Sequence, residues 1–237
     1  MKFVSLLVLL GGLVGAASAA ESQPRIEAAM LAGNLEELES IHQGIEGSLE
    51  SGEASVYLWA YSGWRVTQRL PKKRKRDRAK LLKSLHRGLE DWLDENPDDA
   101  EALALLGTVL GDRIGGPLSA IRLGGKASEA LERAYELAPE NPRVALQRGI
   151  GFFFTPGAFG GGKDKAEVEL RRAKSLFEAS GVQVSGWGYP DTLARLGEVL
   201  AAVEKVDEAR AMYRQALDLA PDYVLVRDEL LPQLPPE

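Results

Sequence analysis

The sequence predicts an all-α fold, and two observations support this prediction. The 237 residues are rich in Ala, Leu, Glu and Arg, which favour helices, and Val and Ile do not alternate with polar residues as in strands. The second observation is a frame of small and large residues that recurs along most of the chain. With 45% hydrophobic and 27% charged residues, the chain has the composition of a globular protein that buries a core.

The first 19 residues are predicted to be a signal peptide. Lys2 gives a positive start, an uncharged and mostly apolar run follows over 3–20, and small residues surround Ala19. We expect cleavage near Ala20 and a periplasmic or secreted protein. An uncleaved membrane anchor is the main alternative, because the run is at the lower length limit for a span. No other segment is apolar enough to cross a bilayer, so we expect no integral membrane protein after cleavage.

The recurring frame is clearest near the C-terminus. Its members there are Leu193, Leu196, Gly197, Leu200, Ala209, Tyr213, Ala216 and Pro221. The small residues allow two antiparallel helices to approach closely, and the large ones fill the seam between them. The proline ends the second helix. The frame therefore predicts a helical hairpin.

Earlier copies of the frame begin near residues 59, 103 and 145, and a degenerate copy lies near residues 25–45. The frame resembles the tetratricopeptide repeat (TPR). This resemblance implies a right-handed α-solenoid of about five TPR-like helical hairpins over 22–231, with a concave groove, followed by a proline-rich tail at 232–237. Two residues depart from the family pattern: Trp92 replaces a small residue, and Arg148 replaces an apolar one.

Three copies contain extra residues between the glycine of the first helix and the first frame residue of the second. The spacing is 12 residues from Gly197 to Ala209, but 22 from Gly63 to Leu85. The two copies between these also exceed 12, with spacings of 20 and 17. We expect three long loops along one edge of the solenoid, where loops often carry binding sites.

Composition excludes several kinds of chemistry. The chain has no cysteine and two histidines, His42 and His86, which we expect to be ordinary helix-face residues. The loop before Lys163 has most of the spacing of a phosphate-binding P-loop, but Asp164 stands where a hydroxyl should hold magnesium. We therefore expect no catalytic residues, no metal and no cofactor. A net charge of −6 also argues against nucleic acid as a partner.

Two lysines are candidate ligand-binding residues. Lys126 and Lys163 each follow a Gly-Gly pair in the inserted segments of adjacent repeats. If each opened a second helix, free N–H groups and the helix dipole would attract a carboxylate or phosphate. The alternative is that the glycines only shape turns and the lysines are solvated.

Aromatic residues supply the other candidates. Phe154 and Phe159 lie in or beside the third insertion, and Trp187 and Tyr189 lie in the connection before the last repeat. Aromatic side chains in such places can anchor a ligand, although packing in the core is the alternative. Eight basic residues over 72–83, against Asp77 alone, are either a solvated face or a surface for an anionic membrane or acidic partner.

Taken together, these features favour an exported, non-enzymatic TPR scaffold that binds a protein or peptide partner through its concave face. The alternative is a periplasmic binder of a small apolar and anionic ligand, such as a lipid. The layout of signal peptide, irregular repeats and glycine-rich insertions is similar to that of the T component of tripartite periplasmic (TRAP) transporters.

Overall fold

The computed structural model describes residues 19–49, 55–180 and 187–236, which form ten α-helices and contain no strand. The helices are α1 (Ala19–Leu31), α2 (Leu35–Leu49), α3 (Val56–Arg69), α4 (Lys75–Glu95), α5 (Ala100–Asp112), α6 (Pro117–Leu137), α7 (Pro142–Phe154), α8 (Lys163–Ala179), α9 (Tyr189–Ala202) and α10 (Val206–Leu219). The all-α prediction is confirmed. The predicted signal peptide lies outside the described residues, apart from Ala19.

Consecutive helices pair into five hairpins that stack into an α-solenoid. A π-helical turn over Leu225–Leu230 and a 3-10 turn over Leu231–Gln233 follow the last hairpin. Tyr223, just before these turns, and Val226 within them are buried against α9 and α10, so the C-terminal segment covers the end of the solenoid. Among the described residues, no helix has the length and apolar character that a membrane span requires.

Glycines of the first helices face side chains of the second helices. A Cβ atom on Gly197 would lie 2.3 Å from Cε1 of Tyr213, and one on Gly107 would lie 2.7 Å from Cγ of Leu131. These are the helix pairs that the repeat frame predicts, and the register is correct. Trp92, the departure from the pattern, is half-buried near the end of α4, and its indole N–H donates to Asp99 at 3.0 Å.

The prediction of three long loops is wrong for two of them. The extra residues before Leu85 and Ala127 lengthen the second helices, so that α4 and α6 have 21 residues each, against 14 in α10. Helix-forming residues at the start of α4, and Pro117 at the first position of α6, explain the extension. The third insertion remains a connection, with a 3-10 turn at Gly157–Phe159.

Candidate functional site

The concave side of the solenoid forms a cavity of about 870 Å³ that is partly open to solvent. Nearly half of its lining residues lie on α3, α5 and α7, the first helices of the middle hairpins. The face of α6 around Ser128, the turn around Phe159, the start of α9 and the C-terminal segment complete it. The stacking of short helices thus places residues from distant parts of the sequence around one space.

Contacts of the first two hairpins with the last hairpin and the C-terminal segment border this space. Arg65 of α3 forms ion pairs with Asp191 of α9 and with Glu27 of α1, and the Arg65 and Asp191 side chains are only 2% and 9% exposed. The Tyr223 hydroxyl donates to Asp191 at 2.7 Å, and Gly33 lies against Val224. The N-terminal repeat therefore contacts the C-terminal segment, and the solenoid curves back on itself.

Burial and charge oppose each other at this contact. Burial alone would raise the pKa of Asp191. The positive charge of Arg65, and the hydrogen bonds that Arg65 and Tyr223 donate to the Asp191 carboxylate, lower this pKa overall. For Glu27, burial outweighs the attraction of Arg65, and the pKa of its carboxyl is raised. The single guanidinium thus stabilises the charged form of Asp191 more than that of Glu27.

Five arginines line the cavity, and four of them are paired with carboxylates. The pairs are Arg65 with Glu27 and Asp191, Arg78 with Asp112, Arg148 with Glu132 and Glu169, and Arg195 with Glu198. Arg69 is the exception, because the described residues offer it no ion pair. Its position on the cavity wall makes it available to an anion from outside the chain.

The guanidinium of Arg69 is only partly satisfied. Its Nη2 donates to the backbone oxygen of Met30 at 2.8 Å, but its buried Nε finds no hydrogen-bond partner among the residues that the structure describes. Burial lowers the pKa of Arg69, while Tyr223 and Glu229 act to raise it. A partly desolvated guanidinium with unused donors is a good site for a carboxylate or phosphate.

Aromatic rings line another part of the wall. The Phe152 ring lies 4.7 Å below the guanidinium carbon of Arg148. Phe154, 68% exposed, ends α7, and Phe159, 78% exposed, lies in the following turn. Both predicted aromatics therefore reach the cavity and remain free to contact an apolar ligand.

Trp187 also lines the cavity, but it packs in the core, where it is 2% exposed and its ring centroid lies 4.4 Å from that of Tyr61. Tyr189 is absent from the wall. Its hydroxyl donates to Glu178 at 3.0 Å, and burial, followed by this carboxylate, raises its pKa to about 12. Of the four predicted aromatics, the structure brings three to the cavity.

The two predicted lysines do not form one anion site at paired helix starts. Lys126 lies in the middle of α6 and not at its start, because the helix already begins at Pro117. Its Nζ lies 3.7 Å from Glu90. Lys163 does open α8, but its Nζ donates to the backbone oxygen of Ala202 at 2.8 Å. Neither lysine lines the cavity, and a role in binding stays a prediction for both.

Sequence reasoning missed Arg65, Arg69 and Asp191. Arg65 and Arg69 lie on α3 and Asp191 lies on α9, both first helices of a repeat, and a charged residue in such a helix is the signal that could mark them. In the part of the chain that the structure describes, no group of three acidic or histidine side chains could hold a metal ion.

A comparison with solved structures finds the same architecture. The chain is similar to TTC0263, a thermophilic TPR protein of Thermus thermophilus, with a TM-score of 0.60 and 19% sequence identity. The likeness covers 86% of this chain and 93% of that chain. At this identity it shows the fold alone, which is TPR-like. No family model matches the chain, and no curated protein matches it.

Proposed function

We propose that the chain is an exported, non-enzymatic TPR-like scaffold that binds a peptide segment of a protein partner in its concave cavity. The observation that carries the proposal is Arg69, an arginine on the cavity wall to which the described residues offer no ion pair and whose buried Nε is unpaired among them. The TPR-like fold supports a protein partner, because helical solenoids use their concave surfaces for binding. The pattern of residues 1–19 supports export.

The ligand chemistry follows from the wall. An anionic group would accept hydrogen bonds from Arg69, and an apolar portion would pack against exposed rings such as Phe154 and Phe159. A peptide with an acidic residue or a free C-terminal carboxylate beside apolar side chains provides both. The neighbouring ion pairs leave little charge for a second anion, so one acidic group is the expected number.

A small amphipathic acid is the second candidate. It is favoured by the contact between the second and last hairpins, because the Arg65–Asp191 pair narrows the concave face into a cavity. A volume of about 870 Å³ is within the range of small-molecule sites. A fatty acid or an acidic lipid would offer the same combination of carboxylate or phosphate and apolar body.

Calorimetry on the full chain distinguishes the two candidate ligands, an acidic peptide and a small amphipathic acid. The probes are acidic peptides with apolar residues, matched neutral peptides, and free fatty acids. We expect Arg69→Met to weaken binding of the true ligand class roughly tenfold to a hundredfold, the worth of hydrogen bonds to a charged group. Arg133→Met is the matched control, because Arg133 is exposed and lies outside the cavity.

Binding of acidic peptides alone supports the scaffold, and binding of fatty acids alone supports the second candidate. Equal affinity in the wild type and Arg69→Met would contradict the site. The double variant Lys126→Ala and Lys163→Ala, measured with the same probes, tests the lysines separately.

A further inference from the structure

The start of α4, with the 3-10 turn at Lys72–Arg74 before it, and the start of α6 form a surface outside the cavity. We propose that this surface docks the protein on a bilayer that contains anionic lipid. We call it the docking edge, and its members are Lys72, Lys73, Lys75, Arg76, Lys80, Lys83, Leu118 and Ile121. The proposal goes beyond the proposed function and does not depend on it.

The first observation is a concentration of unpaired positive charge. All six basic members of the docking edge are exposed, and the described residues offer them no ion pair. Two other cations of the same segment are used internally: Arg74 pairs with Glu39 and Asp77, and Arg78 pairs with Asp112. The unpaired charges stand out on a chain whose net charge is −6.

The second observation is apolar exposure. Leu118 and Ile121, one turn apart at the start of α6, are 86% and 83% exposed, the two highest values among the large hydrophobic residues that the structure describes. Arg122 beside them is also exposed. Side chains that protrude from a helix end can enter the apolar layer of a membrane while nearby cations remain at the headgroups.

Both groups lie at the same edge of the solenoid. Arg78, in the first turn of α4, donates to the backbone oxygen of Asp112 at 3.2 Å. Since Asp112 ends α5 and α6 begins at Pro117, the basic start of α4 lies beside the apolar start of α6. A flat surface could therefore contact the cations and the two apolar side chains at once.

The residue types favour a lipid surface over an acidic protein. Five of the six cations are lysines, which act as hydrated point charges, whereas arginine is preferred for geometrically specific carboxylate pairs. Each lysine or arginine near an anionic membrane contributes about fivefold to partitioning. The two exposed apolar residues add a contribution that charge alone does not supply.

Sedimentation of the full chain with vesicles tests the proposal. We expect binding to vesicles of phosphatidylcholine with phosphatidylglycerol, weak binding to phosphatidylcholine alone, and release in about 1 M salt, where the Debye length is near 3 Å. The triple variant Lys73→Gln, Lys75→Gln, Lys80→Gln should lower partitioning about a hundredfold. The control triple Arg133→Gln, Arg171→Gln, Arg214→Gln removes the same number of exposed charges from the last turns of α6 and from the middle of α8 and α10, and should bind almost as the wild type.

Apolar contact has its own pair of variants. Leu118→Gln with Ile121→Gln should lower binding at least about tenfold, whereas Val168→Gln, at a residue 68% exposed on α8, should not. If residues 1–19 bind lipid themselves, that binding is the same in all variants and also occurs on vesicles of phosphatidylcholine alone. Equal binding to both vesicle types, or unchanged binding of the lysine triple, would overturn the proposal. No binding by the folded wild type would also overturn it and would leave an acidic protein as the partner of the docking edge.

Discussion

Arg65 of α3 and Asp191 of α9 form a buried ion pair between residues 126 positions apart in the sequence. The same guanidinium reaches Glu27 of α1 at 3.0 Å and donates from Nε to the Tyr61 hydroxyl at 2.8 Å. An open solenoid makes contacts only between neighbouring repeats. This pair instead joins the second hairpin to the last, and the bond from Arg65 to Glu27 adds the first hairpin to the contact, which gives the concave face the form of a cavity.

We expect Asp191→Ala to destabilise the protein by about 3–5 kcal/mol, because it leaves the buried Arg65 charge only partly compensated. Asp98→Ala is the control: Asp98 pairs with Arg133 at 2.9 Å, but its side chain is 71% exposed, so the loss should be at most about 1 kcal/mol. Denaturant unfolding followed by circular dichroism measures both. Similar losses in the two variants would mean that the buried pair does not hold the ends together.

Two glycine substitutions should have opposite effects. Gly197→Ala places a Cβ atom 2.3 Å from the Tyr213 ring and should cost about 1–3 kcal/mol by overpacking. Gly125→Ala meets no atom within 4 Å in the exposed middle of α6 and should stabilise by about 0.4–1 kcal/mol. Thermal melting compares them directly. A loss of stability in Gly125→Ala would show that Gly125 is a turn residue, as the sequence had suggested, and not part of a continuous helix.

The helical hairpins could be predicted from the sequence because each depends on contacts between nearby residues. The spacing from Gly197 to Tyr213 is set within one repeat, and the frame records it. The extra residues were placed in loops because the family frame contains no such residues. The lengthened α4 and α6 are instead determined by local helix propensity, which a comparison with the repeat frame does not measure.

The cavity could be predicted only in part. Phe154 and Phe159 were identified because aromatic residues beside a glycine-rich insertion are conspicuous in a sequence. Arg69 was not identified, since its lack of a partner depends on where α1 and the C-terminal segment lie. The contact between Arg65 and Asp191 depends on the accumulated curvature of the hairpins from α3 to α9, for which no single repeat carries a signal.

Export gives a prediction about the N-terminus. If residues 1–19 are a cleaved signal peptide, the protein recovered from its native envelope should begin at or near Ala20, which is within α1. N-terminal sequencing or intact-mass measurement of that material is the test. Recovery of a chain that still begins with Met1, in the membrane fraction, would indicate an uncleaved anchor.

A pH effect is expected from His42. The ring is buried, and burial lowers the pKa of His42 below its usual value near 6.5. The Ser62 hydroxyl donates to the backbone oxygen of Trp59, so its oxygen accepts the Nδ1–H of the neutral His42 ring, 2.9 Å away. The folded state therefore holds the uncharged form.

The direction of the change in stability with pH follows from proton binding to His42. As the pH falls below about 6.5, the unfolded chain takes up a proton at His42 while the folded chain does not, so the free energy of unfolding decreases. This loss continues down to the lowered folded-state pKa and then stops. We expect His42→Gln to be less stable near neutral pH but to lose less stability between about pH 7 and pH 5 than the wild type does. Urea unfolding at a series of pH values gives the slope of the free energy of unfolding against pH for the wild type and for His42→Gln. Equal slopes would show that His42 takes up its proton in the folded protein as it does in the unfolded chain.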